Sequence, residues 1–292
     1  MLVNCIKAQN RGVYPLGMTA VNSGLMPEPG FTYTNQLLSY ARDEAKADDG
    51  STLPVTGSNA VVMDMNTIAW VSATTILGGA QYSASATLPF AKNDLTSDLN
   101  GNLSGGAGFA DSYYLPLILG WNKGRIAVRV LWGFLAPTGR FTPGANNNVG
   151  SGYWTFATSS GQTLYLTKSK SLNLSAYEMY EVHTTQEGTS TRPGGTFDLD
   201  YSLMRTFALP KGRSRLQIGV AGYEAHQTTA KTGPAIMPTE SLTRYAINAV
   251  GFAASVAFPS RKLSFGVKYF DEFADRSTFQ GFSLQFSGSL SF

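Results

Sequence analysis

Hydrophobic and polar residues alternate most regularly at the end of the chain, from Phe282 to Phe292. A period of two residues is that of a β-strand. An apolar face opposed by small polar side chains suits a lipid-facing wall around a polar lumen, and it also suits one sheet of a soluble sandwich. The first parity holds Phe282, Leu284, Phe286, Gly288, Leu290 and Phe292, and the second holds Ser283, Gln285, Ser287, Ser289 and Ser291.

The same period recurs along most of the chain. It is clear in five further segments, residues 80–90, 126–134, 197–204, 216–221 and 263–269. Weaker alternation, blurred by bulges or register changes, marks residues 31–42, 61–75, 108–121, 152–166, 172–182 and 245–258. These segments together predict about twelve strands.

The predicted connections alternate in length. The long ones are residues 43–59, 91–106, 138–150, 184–194 and 228–241. The short ones are residues 77–79, 122–124, 167–171, 209–212 and 259–261, and a last turn lies near residues 274–278. Short periplasmic turns and long extracellular loops are typical of outer-membrane barrels, whereas a Greek-key sandwich has no reason to alternate in this way. We therefore predict an all-β fold, a transmembrane up-and-down antiparallel β-barrel spanning residues 30–292.

Residues 1–29 fit no strand. They contain turn-rich stretches such as residues 12–17 and 26–30. Glycine and proline at this density mark turns and loops rather than regular elements. Two interpretations are open: an irregular periplasmic leader, or a segment that folds into the lumen as a plug.

Composition narrows the class of protein. The chain has 292 residues, 43% hydrophobic and 14% charged, with a formal net charge of +3. No run approaches the roughly 20 apolar residues of a spanning helix, and a closed barrel is the other structure that satisfies the backbone in lipid. The small, dispersed charge argues against nucleic acid. Residues 1–10 lack a basic and then apolar stretch, so the sequence predicts no secretory signal within the given chain.

Aromatic residues at the predicted strand ends suit interfacial girdles. They are Tyr113, Tyr114, Trp121, Tyr153, Trp154, Phe156, Phe270 and Phe273. Aromatic side chains are enriched where a barrel wall crosses the two membrane surfaces. We therefore expect these side chains to face the membrane interfaces.

A recognisable stretch surrounds the central loop, Trp-Gly-Phe-Leu-Ala-Pro-Thr-Gly-Arg-Phe at residues 132–141. It is followed by related stretches at residues 144–150, 152–155, 177–178, 187–189, 193–194, 197–201 and 219–223, and by Phe292. In order and spacing they resemble the MetA-pathway of phenol degradation family, from about Gly12 to the end. The resemblance implies a Gram-negative outer-membrane barrel that admits small hydrophobic, often aromatic, compounds, comparable to long-chain fatty acid transporters. Residues 61–75 depart from the family pattern.

The alternation of residues along the strands and the resemblance to the family together indicate candidate functional residues. The predicted lumen or substrate path comprises Arg129, Asp198, Asp200, Gln217, Tyr223 and Lys268. The terminal strand resembles the signal read by the outer-membrane assembly machinery, with Phe282, Leu284, Phe286, Leu290 and Phe292 as its apolar positions. The expected partners are this machinery, outer-membrane lipid and lipopolysaccharide, and a small hydrophobic solute. We expect a monomer.

Catalytic chemistry finds little support in the sequence. Outer-membrane lipid hydrolases use a His-x-Ser pair, because the histidine activates the serine. The chain has two histidines, His183 and His226, and neither begins such a pair. Both are expected to be solvated residues at the outer rim. We predict no enzyme activity, no cofactor and no metal site; the alternatives are a lipid-modifying barrel enzyme and a structural or adhesive barrel that binds partners through its long loops.

Overall fold

The computed structural model describes residues 12–98, 101–209 and 214–292. Residues 1–11 of the segment predicted at 1–29, which include the single cysteine Cys5, and most of the short turn predicted at residues 209–212 lie outside this part of the chain. The strands are β1 Gly30–Lys46, β2 Thr52–Ile76, β3 Ala80–Ser97, β4 Gly101–Phe109, β5 Ser112–Lys123, β6 Ile126–Ala136, β7 Thr155–Tyr165, β8 Leu172–His183, β9 Thr196–Ala208, β10 Arg215–Gln227, β11 Ala246–Phe258, β12 Leu263–Glu272 and β13 Phe279–Ser291. Helix α1 spans Pro238–Leu242, and Pro259–Arg261 form a 3-10 turn. Within the described residues, no helix has the length and apolar character needed to cross a membrane.

The strands form one closed antiparallel barrel. Apart from β4 and β5, neighbours in sequence pair with each other, and β1 pairs with β13 to close the wall. The end of β3, Phe90–Ser97, pairs with β4, and its first part, Gln81–Thr87, pairs with β5. Since β4 and β5 follow one another along β3, they occupy a single position in a wall of twelve. The predicted barrel of about twelve strands is confirmed.

Two predicted long connections are wrong. The structure extends the hairpins on either side of them, so that β1 reaches Lys46 before β2 begins at Thr52, and β3 reaches Ser97 before β4 begins at Gly101. Alternation is weak in these extensions, and a regular alternation of apolar and polar residues is the signal by which a half-buried strand is recognised. The long loops between β6 and β7, β8 and β9, and β10 and β11 are present at residues 137–154, 184–195 and 228–245.

The apolar residues of each alternating pattern lie on the outer face of the wall. On β13, Phe282, Phe286 and Leu290 are among the exposed large hydrophobic residues, while Ser283 and Gln285 are buried on the inner face. The same sidedness runs around the barrel, with exposed residues that include Phe31, Leu37, Leu88, Phe90, Val130, Trp132, Leu174, Val220, Phe252 and Phe265. The alternation predicted for the terminal strand is therefore confirmed.

The predicted aromatic girdle is correct only in part. Trp154, Phe156 and Phe273 are exposed on the outside. Tyr153 and Phe270 are buried, with 4% and 0% of their surface exposed, and Tyr113 lines an internal cavity. These three face inward because the barrel interior contains a folded segment and an apolar cavity for aromatic rings to pack against.

Strand β2 explains why residues 61–75 lack a clear pattern. Met65 and Val71 are buried on the inner face, while Val62, Ile68 and Trp70 are exposed on the outer face. Both faces therefore carry apolar side chains. Asp64 and Asn66 also lie on the outer face. They alternate with the inward residues in the same way as Val62 and Ile68, because the pairing of β2 with β1 has no bulge between these positions.

Candidate functional site

Residues 12–29, called here the inner segment, lie inside the barrel. Leu16, Ala20 and Ser23 are buried. The segment folds through tight turns, with hydrogen bonds from Met18 N to Pro15 O at 3.2 Å and from Leu25 N to Asn22 O at 2.9 Å. Gly17 has φ +78°, and a Cβ at this position would collide with the Phe270 ring. This turn therefore requires glycine; a role of residues 12–29 as a plug stays a prediction.

Asp200 on β9 anchors the inner segment. Its carboxylate accepts hydrogen bonds from Tyr14 Oη at 2.6 Å, Gly17 N at 2.9 Å and Thr19 N at 3.0 Å. Asp200 is fully buried, so three donors compensate for the loss of water around its oxygens. Burial and the neighbouring Asp200 raise the pKa of the Tyr14 phenol well above its ordinary value, and the phenol therefore stays a donor.

Lys268 on β12 holds the same turn from the opposite side. Its ammonium donates to Gly17 O at 2.7 Å and to Met18 O at 2.6 Å. Gln285 on β13 donates to Leu16 O at 2.8 Å. The turn around Gly17 is therefore bound through both its amide and its carbonyl groups.

The end of the inner segment is held by β7 to β10. Asn22 Nδ2 donates to Gln217 Oε1 at 3.0 Å, and Ser202 Oγ donates to Ala20 O at 2.6 Å. Gly161 on β7 lies so close that a Cβ there would collide with the Ser23 carbonyl oxygen. Contacts from so many strands make the segment an integral part of the lower lumen.

All six predicted lumen residues belong to the inner face. Asp200, Gln217 and Lys268 hydrogen-bond to the inner segment, and the Tyr223 ring packs near Gly17. Arg129 lies beside Gly161, and Asp198 lines a cavity of about 180 Å³. The structure thus brings most of them together around the inner segment, and their role in a solute path stays a prediction.

A larger cavity of about 510 Å³ lies between the inner segment and the long loops. Its wall on β2 and β3 is mainly apolar, although a barrel lumen is ordinarily polar. The lining includes Val61, Met63, Met65, Pro89, Ala91, Leu95, Leu135, Phe141 and Met179, and Tyr14 and Met18 of the inner segment contribute to it. Sequence reasoning missed this cavity, because inward apolar residues on β2 weaken the alternation by which strands are recognised.

Beside this cavity, one part of the wall is closed by a loop instead of a strand. The free edge of β4 faces loop 137–154. Gly105 N donates to Asn146 O, Asn93 Nδ2 donates to Asn148 O at 3.2 Å, and Arg140 Nη2 donates to Ala107 O at 3.4 Å. A few such contacts replace the continuous ladder found between the other wall strands.

Asp111, at the break between β4 and β5, fixes this loop. Its carboxylate accepts from Gly139 N at 2.9 Å, Ser151 N at 2.7 Å and Ser151 Oγ at 2.6 Å. Burial raises the pKa of the Asp111 carboxyl, and the hydrogen bonds from Ser151 and Gly139 partly oppose this shift. Asp111 therefore connects both ends of loop 137–154 to the cavity wall.

A buried ion pair joins β1 to β12. Arg42 Nη2 and Nε donate to Glu272 at 2.7 to 2.9 Å, and Tyr223 Oη donates to the same carboxylate at 3.0 Å. The Arg42 guanidinium lies 4.0 Å from the centre of the Tyr40 ring. The sequence placed Arg42 at the end of a predicted strand and assigned no role to either charge.

The two histidines differ from each other. The expectation of a solvated rim residue is wrong for His183, which is 3% exposed with its Nδ1 atom 2.8 Å from Thr155 Oγ1. Tyr153 packs edge-on against this imidazole, which explains its burial. His226 is 43% exposed beside Glu224. Neither histidine is hydrogen-bonded to a serine in the part of the chain that the structure describes, and no cluster of three metal-ligating residues occurs there.

Solved structures share this architecture. The COG4313 outer membrane channel from Pseudomonas putida F1 superposes with a TM-score of 0.75 at 13% identity, covering 93% of this chain and 98% of that one. The beta domain of the Bordetella autotransporter BrkA gives a TM-score of 0.54 at 12% identity, covering 91% of this chain and 100% of that one. No curated protein matches the sequence. The sequence profile described as MetA-pathway of phenol degradation matches residues 42–287, so this barrel belongs to that family.

Proposed function

We propose that the protein is a passive outer-membrane channel for small hydrophobic or aromatic solutes. The observation that carries this proposal is the cavity of about 510 Å³ with its apolar lining. A cavity of roughly 150 Å³ is enough for benzene in a protein interior, so a single-ring solute fits with room to move. Membership of the family and the similar fold of the Pseudomonas putida channel support the same class of function.

The apolar wall favours such solutes over sugars and ions of the same size. Val61, Met63 and Met65 on β2 line the cavity together with Leu135 and Met179. A polar solute would lose water at this wall without gaining hydrogen bonds, whereas an apolar one gains contact. Methionine side chains are flexible and polarisable, so they adapt to rings of different shape.

Two boundaries of the cavity could open for onward passage. The lower boundary is the inner segment, which Asn22 joins to Gln217 on β10. The side boundary is loop 137–154, which contacts β4 through Gly105 and Asn146 and contacts β3 through Asn93 and Asn148. Movement of the first would release a solute downward, and movement of the second would release it sideways through the wall.

Proteoliposome uptake of toluene against glycerol tests the proposal. We expect faster toluene uptake than in empty liposomes and no such gain for glycerol. Reversible tethers then identify the route, in a Cys5→Ser background: Asn22→Cys/Gln217→Cys across the lower boundary, or Asn93→Cys/Asn148→Cys across the side boundary. The reduced form of each tethered protein is its own control. Equal toluene uptake with folded protein and with empty liposomes would overturn the proposal.

We propose that the outer wall contacts outer-membrane lipid and lipopolysaccharide, and that β13 carries the signal for the assembly machinery. The exposed row Phe282, Phe286 and Leu290, continued by Phe292 beyond the strand, supports this role. Replacing Phe292 with serine is expected to lower the amount of assembled barrel, measured as the heat-modifiable band on a gel. An unchanged amount would remove the support for β13 as the signal.

A further inference from the structure

A cluster of polar side chains lies on the lipid-facing side of the barrel. It consists of Tyr33 and Asn35 on β1 and of Asp64 and Asn66 on β2, and it is called here the outer polar cluster. All four share the outward parity of their strands with the exposed residues Phe31, Leu37, Val62 and Ile68. An ionisable residue on this face is unfavourable in lipid and indicates a function.

The cluster lies within the apolar band of the wall. Asn35 is five residues along β1 from Gly30 at the end with the short turns, which places it about 12 Å up a tilted strand. Towards that end, the outer wall continues with Phe31 and Ile68. Towards the other, it continues with Leu37 and Phe90. Lipid chains would therefore surround the cluster on a bare wall, and they offer it no hydrogen bonds.

The hydrogen bonds within the cluster leave one donor and one acceptor unused. Asn35 Nδ2 donates to Asp64 Oδ1 at 2.5 Å and to Asn66 Oδ1 at 3.3 Å, which uses both of its hydrogens. Asn66 Nδ2 donates to Asp64 Oδ2 at 3.2 Å, and Tyr33 Oη donates to Asn66 Oδ1 at 2.6 Å. Across the described residues, Asn35 Oδ1 and the second hydrogen of Asn66 Nδ2 take part in no hydrogen bond.

The unused acceptor and donor of one copy can pair with the unused donor and acceptor of a second copy that is related by a two-fold rotation. Asn35 and Asn66 are direct cross-strand partners, so they lie at the same depth in the wall. A two-fold axis along the membrane normal keeps every residue at its own depth. It can therefore bring Asn66 of one copy to Asn35 of the other, and the reverse, so that each amide donates once and accepts once. Two-fold pairing through one patch is also the commonest symmetry of protein oligomers.

The surrounding wall allows close approach. Gly288 on β13 is the other neighbour of Asn35 across the β1 ladder, and a Cβ there would meet only the Phe265 ring, at 3.6 Å. Small residues let transmembrane elements come near enough for polar side chains to hydrogen-bond. Exposed Leu37, Phe286 and Leu290 provide an apolar rim around the polar centre.

A second polar cluster on β7 and β8 is a natural contrast. Ser160 Oγ and Gln162 Nε2 both donate to Glu178 Oε2, at 2.8 and 2.9 Å, and Gln162 Nε2 also donates to Ser160 Oγ at 2.9 Å. The donors of this cluster thus point into it, and it presents carboxylate and amide oxygens outward. Two such surfaces facing each other would oppose acceptor to acceptor, so this cluster is not self-complementary.

We propose that the outer polar cluster is the centre of a two-fold dimer interface between copies of this chain in the membrane. The partner is a second copy of the chain, because a second copy carries the same donor and acceptor at the same depth in the membrane. This proposal replaces the expectation of a monomer. It does not depend on the proposed function, since each barrel keeps its own cavity.

Cross-linking in native outer-membrane fragments tests the interface. In a Cys5→Ser background, Leu37→Cys reports contact beside the outer polar cluster, and Leu174→Cys reports contact at an equally exposed place beside the second cluster. With a short bis-maleimide, we expect a dimer band for Leu37→Cys and background for Leu174→Cys. Adding Asn35→Leu/Asn66→Leu to Leu37→Cys should reduce the dimer about tenfold or more, while adding Ser160→Leu/Gln162→Leu should leave it unchanged.

Heat-modifiable migration checks that each variant is folded. If the double leucine variant does not fold, Gly288→Leu is the second test, because it adds bulk at the interface and little strain within one barrel; it should also reduce the dimer about tenfold. Equal cross-linking at Leu37→Cys and Leu174→Cys would overturn the proposal. A dimer unaffected by the cluster variants, or a ladder longer than a dimer, would overturn it as well.

Discussion

Tyr14 donates a 2.6 Å hydrogen bond to Asp200, and the two residues are 186 positions apart in the sequence. The bond joins the inner segment to the middle of a wall strand. Because Gly17 and Thr19 donate to the same carboxylate, Asp200 is the main electrostatic anchor of the plug.

Replacing Asp200 with asparagine should loosen the inner segment. An amide offers one acceptor oxygen in place of two and presents a donor where Thr19 N and Tyr14 Oη also donate. We expect a loss of about 3 kcal/mol, since hydrogen bonds to charged groups contribute about 1.5–3 kcal/mol each. Planar-bilayer recordings should show higher conductance, and thermal unfolding should begin at a lower temperature.

Asp198→Asn is the matched control for this change. Asp198 lies on the same face two residues earlier, is also buried, and has an Oδ2 atom without a partner within the described part of the chain. Its replacement should leave conductance unchanged. If both variants raise conductance equally, Asp200 does not anchor the plug in the way described.

Replacing Glu272 with glutamine should destabilise the barrel. The change leaves the Arg42 guanidinium, whose side chain is 4% exposed, without its carboxylate. Breaking one partner of a buried pair costs about 3–5 kcal/mol. The midpoint of urea unfolding in detergent measures this loss.

Two further variants separate the ion pair from general charge effects. Glu44→Gln removes a carboxylate whose side chain is 54% exposed beside Lys46, and it should cost less than about 1 kcal/mol. The double variant Arg42→Met/Glu272→Leu should be less destabilised than Glu272→Gln, because no buried charge is left unpaired. A double variant as unstable as the single one would contradict this explanation.

Filling the apolar cavity should slow solute uptake. Met63 lines the cavity, and its neighbour Val62 is exposed on the outer wall. A Met63→Trp variant adds a bulky ring to the lumen, and we expect toluene uptake to fall about tenfold, equivalent to roughly 1.4 kcal/mol. Val62→Trp should leave uptake unchanged. Equal uptake by the two variants would show that solutes do not pass through this cavity.

The carboxyl groups of Asp111 and Asp49 should titrate on opposite sides of the ordinary aspartate value of about 3.9. Burial raises the pKa of Asp111, and hydrogen bonds with Ser51 lower the pKa of Asp49. A carboxyl whose folded pKa is raised stabilises the fold below the unfolded value, and this contribution is lost as pH rises through the folded pKa. Asp111 should therefore contribute more to the free energy of unfolding near pH 4 than near pH 7.

Carbon-13 NMR of labelled aspartate carboxyls measures both pKa values. Asp111→Asn and Asp49→Asn assign the two signals. The free energy of unfolding of the protein and of Asp111→Asn, compared between pH 4 and pH 7, reports the contribution of this carboxyl to stability. Titration of Asp111 below Asp49 would contradict the burial argument.

The fold could be predicted from the sequence because alternate residues of a barrel strand face lipid and lumen, and the two faces differ in polarity. The row from Phe282 to Phe292 and the short turn at residues 77–79 are local patterns. Contacts within the lumen are not local: Lys268 binds carbonyl groups 250 and 251 residues away. Parity could assign Lys268 to the inner face, and it could not identify the segment that this side chain holds.

Strand β2 shows where the rule of alternate faces fails. Met63 and Met65 face a cavity, and Asp64 and Asn66 face outward. At this point in the strand the apolar residues therefore lie on the inner face and the polar residues on the outer face, the reverse of the usual arrangement. The departure of residues 61–75 from the family pattern was visible in the sequence. Its meaning required the register with β1, because the outer polar cluster is made by residues of both strands.

The pairing of β1 with β13 imposes an order on biogenesis. The inner segment immediately precedes β1, and β13 is the last strand of the chain. Once this seam forms, the segment is enclosed by a ring of hydrogen-bonded strands and tied to β7, β9, β10, β12 and β13. Its binding partners on β12 and β13 are synthesised after all the other strands of the barrel. The barrel is therefore completed around the inner segment, and the insertion of that segment is coupled to the final step of strand closure.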